Sequence, residues 1–478
     1  PMLMSSATPL SQLENESEFI ARHIGISETD EQHMLSVIGL ASRRALIESI
    51  VPASIARSQA MKLPAPVTEA GALAELKAMA QQNKILKSFI GQGYYGNHTP
   101  GVILRNILEN PAWYTAYTPY QAEIAQGRLE ALLNFQTMVI ELTGMDIANA
   151  SLLDEATAAA EAMIMFYNSR SRADIQAGRN KFFIDAAALP QSIDVMTGRA
   201  LNLGIELVYG DASTFEPDAA FFGVFVQYPN AKGAIQDWSS AIAAWKAAGI
   251  QVAVGADIMS LVLLKSPGSM GADVVLGCAQ RFGVPMGYGG PHAAFFATKE
   301  DYKRNLPGRI IGVSKDADDN QALRMALQTR EQHIKRDKAT SNICTAQALL
   351  AVMASMYAVY HGPAGVTAIA SHIHNLACQA AAGLKAAGVN VVSASFFDTI
   401  HVSGINAADI RKKAEAAQLN FRYISDSELS ISFGEPHTEA DLKAVLAVFG
   451  ASPVAASTAI PAPLQRSESV LSHPIFNS

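Results

Sequence analysis

The chain has 478 residues with 36 Lys plus Arg against 43 Asp plus Glu, a formal net charge of −7. It carries no basic run that would track a phosphate backbone, so nucleic-acid binding is not expected. Its 49% hydrophobic content supports a large core, and its three cysteines (Cys278, Cys344, Cys378) form neither a disulfide framework nor a CxxC zinc site.

In chain order, residues 1–18 carry no clear pattern and read as loosely attached. FIARHIG, EQHMLSVIG and ASRRALIESIVP give short helical patterns, punctuated by Pro52, Pro64 and Pro66. A further helix is expected over 69–86. SFIGQGYYGNHTPGVILRNILENP (88–111) reads as loop and then a short helix stopped by Pro111, and WYTAYTPYQAEIAQG as loop. In 128–144, Leu129, Leu132, Phe135, Val139 and Leu142 form one apolar face, with Gly144 as the stop. Asp154 is placed to cap an alanine-rich helix.

From 181 the rhythm changes. KFFID, IELVYG, AAFFGVFVQ, IQVAVGAD, ADVVLG and HAAFFAT are short apolar runs, with helical patterns such as 237–249 between several of them. Strands alternating with helices imply a mostly parallel sheet covered on both faces. A long connecting helix is expected over 341–362, then a small α+β unit to 450 and a Pro/Ser/Ala-rich tail. The expected divisions are a helical segment 1–88, a large doubly wound α/β domain 89–340, a small α+β domain 341–450 and a linker or wrapping tail 451–478. No apolar stretch reaches the roughly 20 residues of a membrane helix, and the N-terminal residues show no signal pattern, so a cytoplasmic protein is expected.

The chemistry centres on two positions. Asp257 ends the strand pattern VAVGAD, and Arg281 follows GADVVLGCAQ, 24 residues on, at the head of a loop with glycines at 283, 287, 289 and 290. In pyridoxal phosphate (PLP) enzymes of this architecture an Asp at the first place pairs with the pyridine nitrogen, and a Lys at the second holds the cofactor covalently. Here no lysine lies anywhere in 266–298. Arginine cannot replace it, because a guanidinium stays protonated and has no free amine. Two roles remain open for Arg281: an ion-pairing or interface residue, or a group that holds an anion. At the helix N-terminus expected to seat the phosphate stand Asp154 and Glu155, which suit the helix dipole but repel a phosphate. The aromatic and polar loops YYGNHTP and YTAYTPYQAE place Tyr94, Tyr95, His98, Thr99, Tyr117 and Gln121 as candidates for a substrate channel or subunit interface. No metal site is expected. His372 and His374 read as surface or internally satisfied residues.

Residues 90–163, with AVGADIMSL, GADVVLGCAQRFGVPMGYGGPHAAFF and SNICTAQALLA, closely resemble the N-terminal half of the glycine cleavage system P-protein family. The resemblance runs from about residue 12 to the end. It implies a type I PLP-dependent transferase (aspartate-aminotransferase-like) fold. It also implies a partner, either a homologous C-terminal half or a second subunit, which carries the lysine and the PLP. The complete enzyme would decarboxylate glycine and pass the aminomethyl group to the lipoylated H-protein. This chain would bear no catalytic residue of its own, and Asp257 would be a vestige. Two alternatives are a self-sufficient PLP enzyme, which the lysine gap opposes, and a purely structural scaffold, which the aromatic loops oppose.

Overall fold

A computed structural model describes residues 8–14, 18–289, 292–340 and 346–478. Cys344, with the rest of 341–345, and Gly290 of the glycine-rich loop lie outside the described residues. The chain divides into two units, residues 1–85 and 86–478.

The first unit holds helices Glu28–Ile38, Arg43–Ile50 and Glu69–Ala80. Each has a side-chain cap from Ser27, Ser42 or Thr68, which satisfies a backbone N–H that the first turn leaves open. The expected boundary at residue 88 is corrected by the next element. Lys87–Phe89 is a strand, β1, and belongs to a sheet of the second unit.

The remaining strands of the second unit are β2 (Ile147–Ala148), β3 (Lys181–Asp185), β4 (Glu206–Gly210), β5 (Phe221–Tyr228), β6 (Gln251–Asp257), β7 (Val274–Cys278), β8 (Ala294–Thr298), β9 (Ile310–Lys315), β10 (Gln321–Ala326), β11 (Asn390–Val391), β12 (Thr399–Ser403), β13 (Leu419–Ser425) and β14 (Glu428–Ser432). Its main helices are α1 (Gln126–Thr143), α2 (Glu155–Asn168), α3 (Pro190–Leu201), α4 (Ser239–Ala247), α5 (Ala348–Ala386), α6 (Ala407–Ala416) and α7 (Glu439–Val448).

The large sheet has the order β2-β8-β7-β6-β5-β3-β4. β4, β3, β5, β6 and β7 run parallel, and β8 runs antiparallel to both of its neighbours. All residues of β5, β7 and β8 are buried, as continuous apolar runs covered on both faces must be. On one face α2 and α3 pack through Met163, Phe166 and Met196. On the other, α1, α4 and α5 pack through Phe135, Trp245 and Tyr357. The apolar face read in 128–144 is buried in full, and Gly144 ends α1 in the left-handed conformation. A smaller sheet of order β1-β13-β14-β12-β11 carries α6 and α7.

Three expectations need correction. Pro111 does not only stop a helix; it opens the turn Pro111–Tyr114, capped by Asn110, inside a stretch read as loop. The connecting helix starts at Ala348 and runs to Ala386, which makes it long and apolar enough to span a membrane by length and composition alone. It is, however, broken at Gly362 (φ 63°, ψ 179°), next to Pro363, and packs on α1 and α7. The tail, read as a linker or wrapping arm and expected to hold no element of its own, carries the turns Ala462–Leu464 and Pro474–Phe476. Arg466 anchors it by donating to the carbonyls of Glu141, Leu142 and Leu261 at 2.7–2.9 Å, the first two at the C-terminal end of α1.

The two domains of this unit meet at a bridge between Ala234 and Phe396. Beside it Gly233 (φ 90°) lies so close to the start of β12 that an added Cβ would stand 2.1 Å from the Thr399 carbonyl oxygen. Gly233→Ala should therefore strain the junction and lower stability by about 1–3 kcal/mol. Urea unfolding of the purified chain measures this, and an unchanged midpoint would contradict the junction described.

Candidate functional site

The carboxyl ends of parallel strands are where an open α/β sheet builds its sites. Here β6 ends at Asp257, β7 ends at Cys278, and Arg281 lies three residues beyond. Arg281 Nη1 donates to Asp257 Oδ2 at 2.9 Å and to Asp398 Oδ2 at 2.5 Å. Its Nη2 donates to the Phe433 carbonyl at 3.2 Å. Its guanidinium stacks on the Tyr95 ring, 3.7 Å from the centroid. Asp257 and Arg281 come from the large domain, Asp398 and Phe433 from the small one, and Tyr95 from the loop after β1. Of the two roles left open for Arg281, the ion-pairing one is what the structure displays.

Charge is held firmly at this centre. Burial opposes the charged form of Arg281, but the Asp257 and Asp398 carboxylates more than offset it and raise its pKa above the ordinary arginine value. Burial pushes Asp398 up, and Arg281 and the Thr399 hydroxyl pull it back. Burial also raises the Tyr95 phenol well above its usual range.

The N-terminus of α2 is the second half of the site. Asp154 caps it, accepting from Thr157 N at 2.7 Å. Glu155 is buried, and burial pushes its carboxyl up to about 8, against the hydrogen bond that Gln227 donates at 2.9 Å. Glu155 is therefore mostly protonated at neutral pH. The expectation of two anionic groups is corrected: burial favours the neutral form of Glu155, and among the described residues no cation sits beside it to offset desolvation.

The candidate loop residues separate. Tyr95 packs on Arg281. Its segment is stitched to the turn after β7: Tyr95 N donates to Gln280 Oε1 at 3.1 Å, Asn97 donates to the carbonyls of Gln280 and Val284, and Thr99 donates to the Gly283 carbonyl at 2.6 Å. Gly283 (φ 77°) leaves room there for Tyr357, whose ring would stand 2.6 Å from a Cβ. Gly283 thus packs against a side chain of this chain. Tyr94 lies edge-on to His292, with centroids 4.6 Å apart, and His292 Nδ1 faces Cys278 Sγ at 2.8 Å. His98, Tyr117 and Gln121 are exposed, and Tyr117 stands on a different cavity, with Arg309, Ile311 and Met325. His374 is internally satisfied, held between the Phe397 carbonyl and the Thr458 hydroxyl.

Three residues of the centre escaped sequence reasoning: Asp398, Gln227 and Gln280. FFDT carries no motif, and Asp398 lies 117 positions from its partner Arg281.

A PLP-type cofactor needs an amine, an anion seat and room. Arg281 offers no amine, Asp154 and Glu155 fill the seat, and the cavity bounded by Tyr95, Glu155, Asp257, Arg281 and Asp398 holds about 30 Å³. That is on the order of one water, where ligand pockets take roughly 300–1,000 Å³. The residues do not fit the group.

Fold and site together define a class: the type I PLP-transferase fold, here with Arg281 ion-paired to Asp257 and Asp398 at the carboxyl ends of β6 and β7. The model of the family "Glycine cleavage system P-protein" matches residues 21–449, and the chain belongs to that family. It is 54% identical over 484 residues to a glycine dehydrogenase (decarboxylating) of Stenotrophomonas maltophilia (strain R551-3), covering 99% of this chain and 50% of that protein. The chain thus spans about half the length of the curated relatives it matches. A crystal structure of glycine decarboxylase (P-protein) of the glycine cleavage system, in inhibitor-bound form, is similar with a TM-score of 0.78 and 32% identity, covering 89% of this chain and 99% of that one. Aspartate aminotransferase of Thermus thermophilus, at TM-score 0.51 and 14% identity over 76% of this chain and 97% of that one, shares the fold alone.

Two outcomes test the site. Arg281→Met leaves Asp257 and Asp398 buried without a cation, and should cost about 3–5 kcal/mol in denaturant unfolding at neutral pH, because uncompensated buried charge is expensive. Glu155 sets a pH dependence. Its folded pKa, about 8, is raised above the ordinary 4.5. The folded state therefore binds the proton more tightly, and this contribution is complete below about pH 4.5 and lost as pH rises through about 8. Glu155→Gln should flatten that decline, which unfolding curves collected from pH 5 to 9 would reveal.

Proposed function

We propose that this chain is the half of glycine decarboxylase that holds no cofactor. The complete enzyme pairs it with a homologous half that binds PLP, decarboxylates glycine, and transfers the aminomethyl group to the lipoyl arm of the H-protein. One observation supports this reading: Arg281, at the position where the sequence resemblance would put the lysine of a type I enzyme, is ion-paired to Asp257 and Asp398. Such a chain keeps the sheet, the domain junction and the loops of the fold without the means to hold the cofactor. Its contribution is architectural, and alone it is inactive. In this reading His98, Tyr117 and Gln121, exposed here, meet the partner half or its substrate channel, whereas Tyr95 and Thr99 support them from within.

The test is covalent capture. The purified chain is mixed with PLP, alone and together with the second half, and then reduced with borohydride. Label is expected on the second half only. Label on this chain would overturn the proposal. The same is expected of Arg281→Lys, since a restored amine still lacks a phosphate seat and space.

A further inference from the structure

The large sheet ends on β4. Among the described residues this strand pairs with β3 alone, in register from Lys181↔Glu206 to Asp185↔Gly210 without a shift. The described residues of the first unit form helices and no strand, so none of them continues the ladder. Glu206 N donates to the Asn180 carbonyl, and the Gly210 carbonyl accepts from Ala186 N. Glu206, Val208 and Gly210 therefore turn their backbone groups toward β3. Backbone groups alternate sides along a strand, so the N–H and C=O of Leu207 and of Tyr209 point away from the sheet. Proteins usually blunt such an edge with Lys, Pro or a bulge. Glu206–Gly210 has none of the three.

The four outward groups match a copy of themselves. In an antiparallel pair, residues that exchange both hydrogen bonds alternate with residues that exchange none. With Leu207 opposite Tyr209 of a second copy, the two residues exchange N–H and C=O, and a two-fold axis repeats the exchange with Tyr209 opposite Leu207. Val208 then faces Val208 on the axis, its own backbone groups already turned to β3. The side chains agree with this register. Leu207 packs on the α2–α3 face, where Tyr209 Oη lies 2.7 Å from Thr197 Oγ1 of α3, so the cross-strand neighbours are an aliphatic and an aromatic group. Val208 packs on the opposite face. Glu206, the one charge of β4, lies 3.7 Å from Lys181 Nζ and would stand opposite Gly210, so no like charges meet. We infer that β4 is an interface for a second copy of this chain, paired edge to edge about a two-fold axis through Val208, so that the two large sheets run on as one. The self-matching selects the occupant: the same two residues supply every donor and acceptor that the edge requires. A contact of this extent belongs to the weak, concentration-dependent class. The inference stands apart from the function proposed above.

The test uses the full chain. Sedimentation velocity over a concentration series should show a monomer–dimer equilibrium. Tyr209→Pro removes an N–H that β4 does not spend on β3, and should weaken the dimer roughly tenfold or more with far-UV circular dichroism unchanged. Val208→Cys reads the register directly. Partners in a non-hydrogen-bonded pair have Cα atoms about 4.5 Å apart, within disulfide reach. Oxidised with diamide, this variant should give a covalent dimer that the wild-type chain, treated in parallel, does not. In Leu207→Cys the two thiols lie diagonally, about 7–8 Å apart, and should link far less. Should Tyr209→Pro fail to fold, the Val208→Cys link alone decides. A wild-type chain that stays monomeric at every concentration would overturn the inference. So would a dimer that Tyr209→Pro leaves intact and Val208→Cys does not link, since the copies would then join elsewhere. Loss of the Val208→Cys link on adding the second half would assign the edge to that half instead, and would also overturn it. None of these outcomes bears on the proposed function, which borohydride capture tests separately.

Discussion

A buried guanidinium must be paired, and the site at the ends of β6 and β7 depends on how Arg281 meets that demand. Its charge is met by one carboxylate from each domain and by the face of one aromatic ring. An unpaired ion in a low-dielectric interior costs several kcal/mol, so neither carboxylate can withdraw from the cation without large loss. The pair therefore fixes how β12 and the segment before it sit against the ends of β6 and β7. The junction between the two domains is thus bridged by a side chain. Glu155 follows from the same arithmetic. Arg281 already serves two carboxylates, and a third charge at the end of α2 would have no counter-ion. Burial keeps it protonated instead, with Gln227 as its hydrogen-bond donor.

Around this centre the fold is arranged to exclude volume. The segment 95–99 and the turn 280–284 are stitched by hydrogen bonds in both directions, since Gln280 also donates to the Tyr95 carbonyl at 2.8 Å. Tyr357 from α5 fills the space beside Gly283. Elsewhere the tail is held by Arg466, which takes up carbonyls that α1 leaves open at its end. In the first and last of these a polar group that a helix or turn would leave unsatisfied finds its partner in a distant stretch of chain.

That pattern explains what was legible in the sequence. Elements set by local chemistry were: the apolar face of α1, the Asp154 cap, and the strand runs that end at Asp257 and Cys278. The spacing of Asp257 and Arg281 was legible because both follow strands that lie side by side. Asp398 was not, because its role arises only when the small domain folds back over the large one. The six loop residues were read as one group on composition alone. Hydrogen bonds to the 280–284 turn draw Tyr95 and Thr99 inward and leave His98, Tyr117 and Gln121 outside. The ionic state of Glu155 was misread for the same reason: sequence shows a carboxyl at a helix N-terminus but not the burial that neutralises it. The assignment of Lys87–Phe89 to the small sheet depends on its pairing with β13, more than 300 residues away.

The most direct measurement of the central claim is an experimental structure of this chain in complex with its second half, grown or soaked with PLP. The account predicts cofactor density in the second half alone, with the Arg281 guanidinium lying between Asp257 and Asp398. PLP density between Asp257 and Glu155, with Arg281 displaced from the two carboxylates, would contradict it.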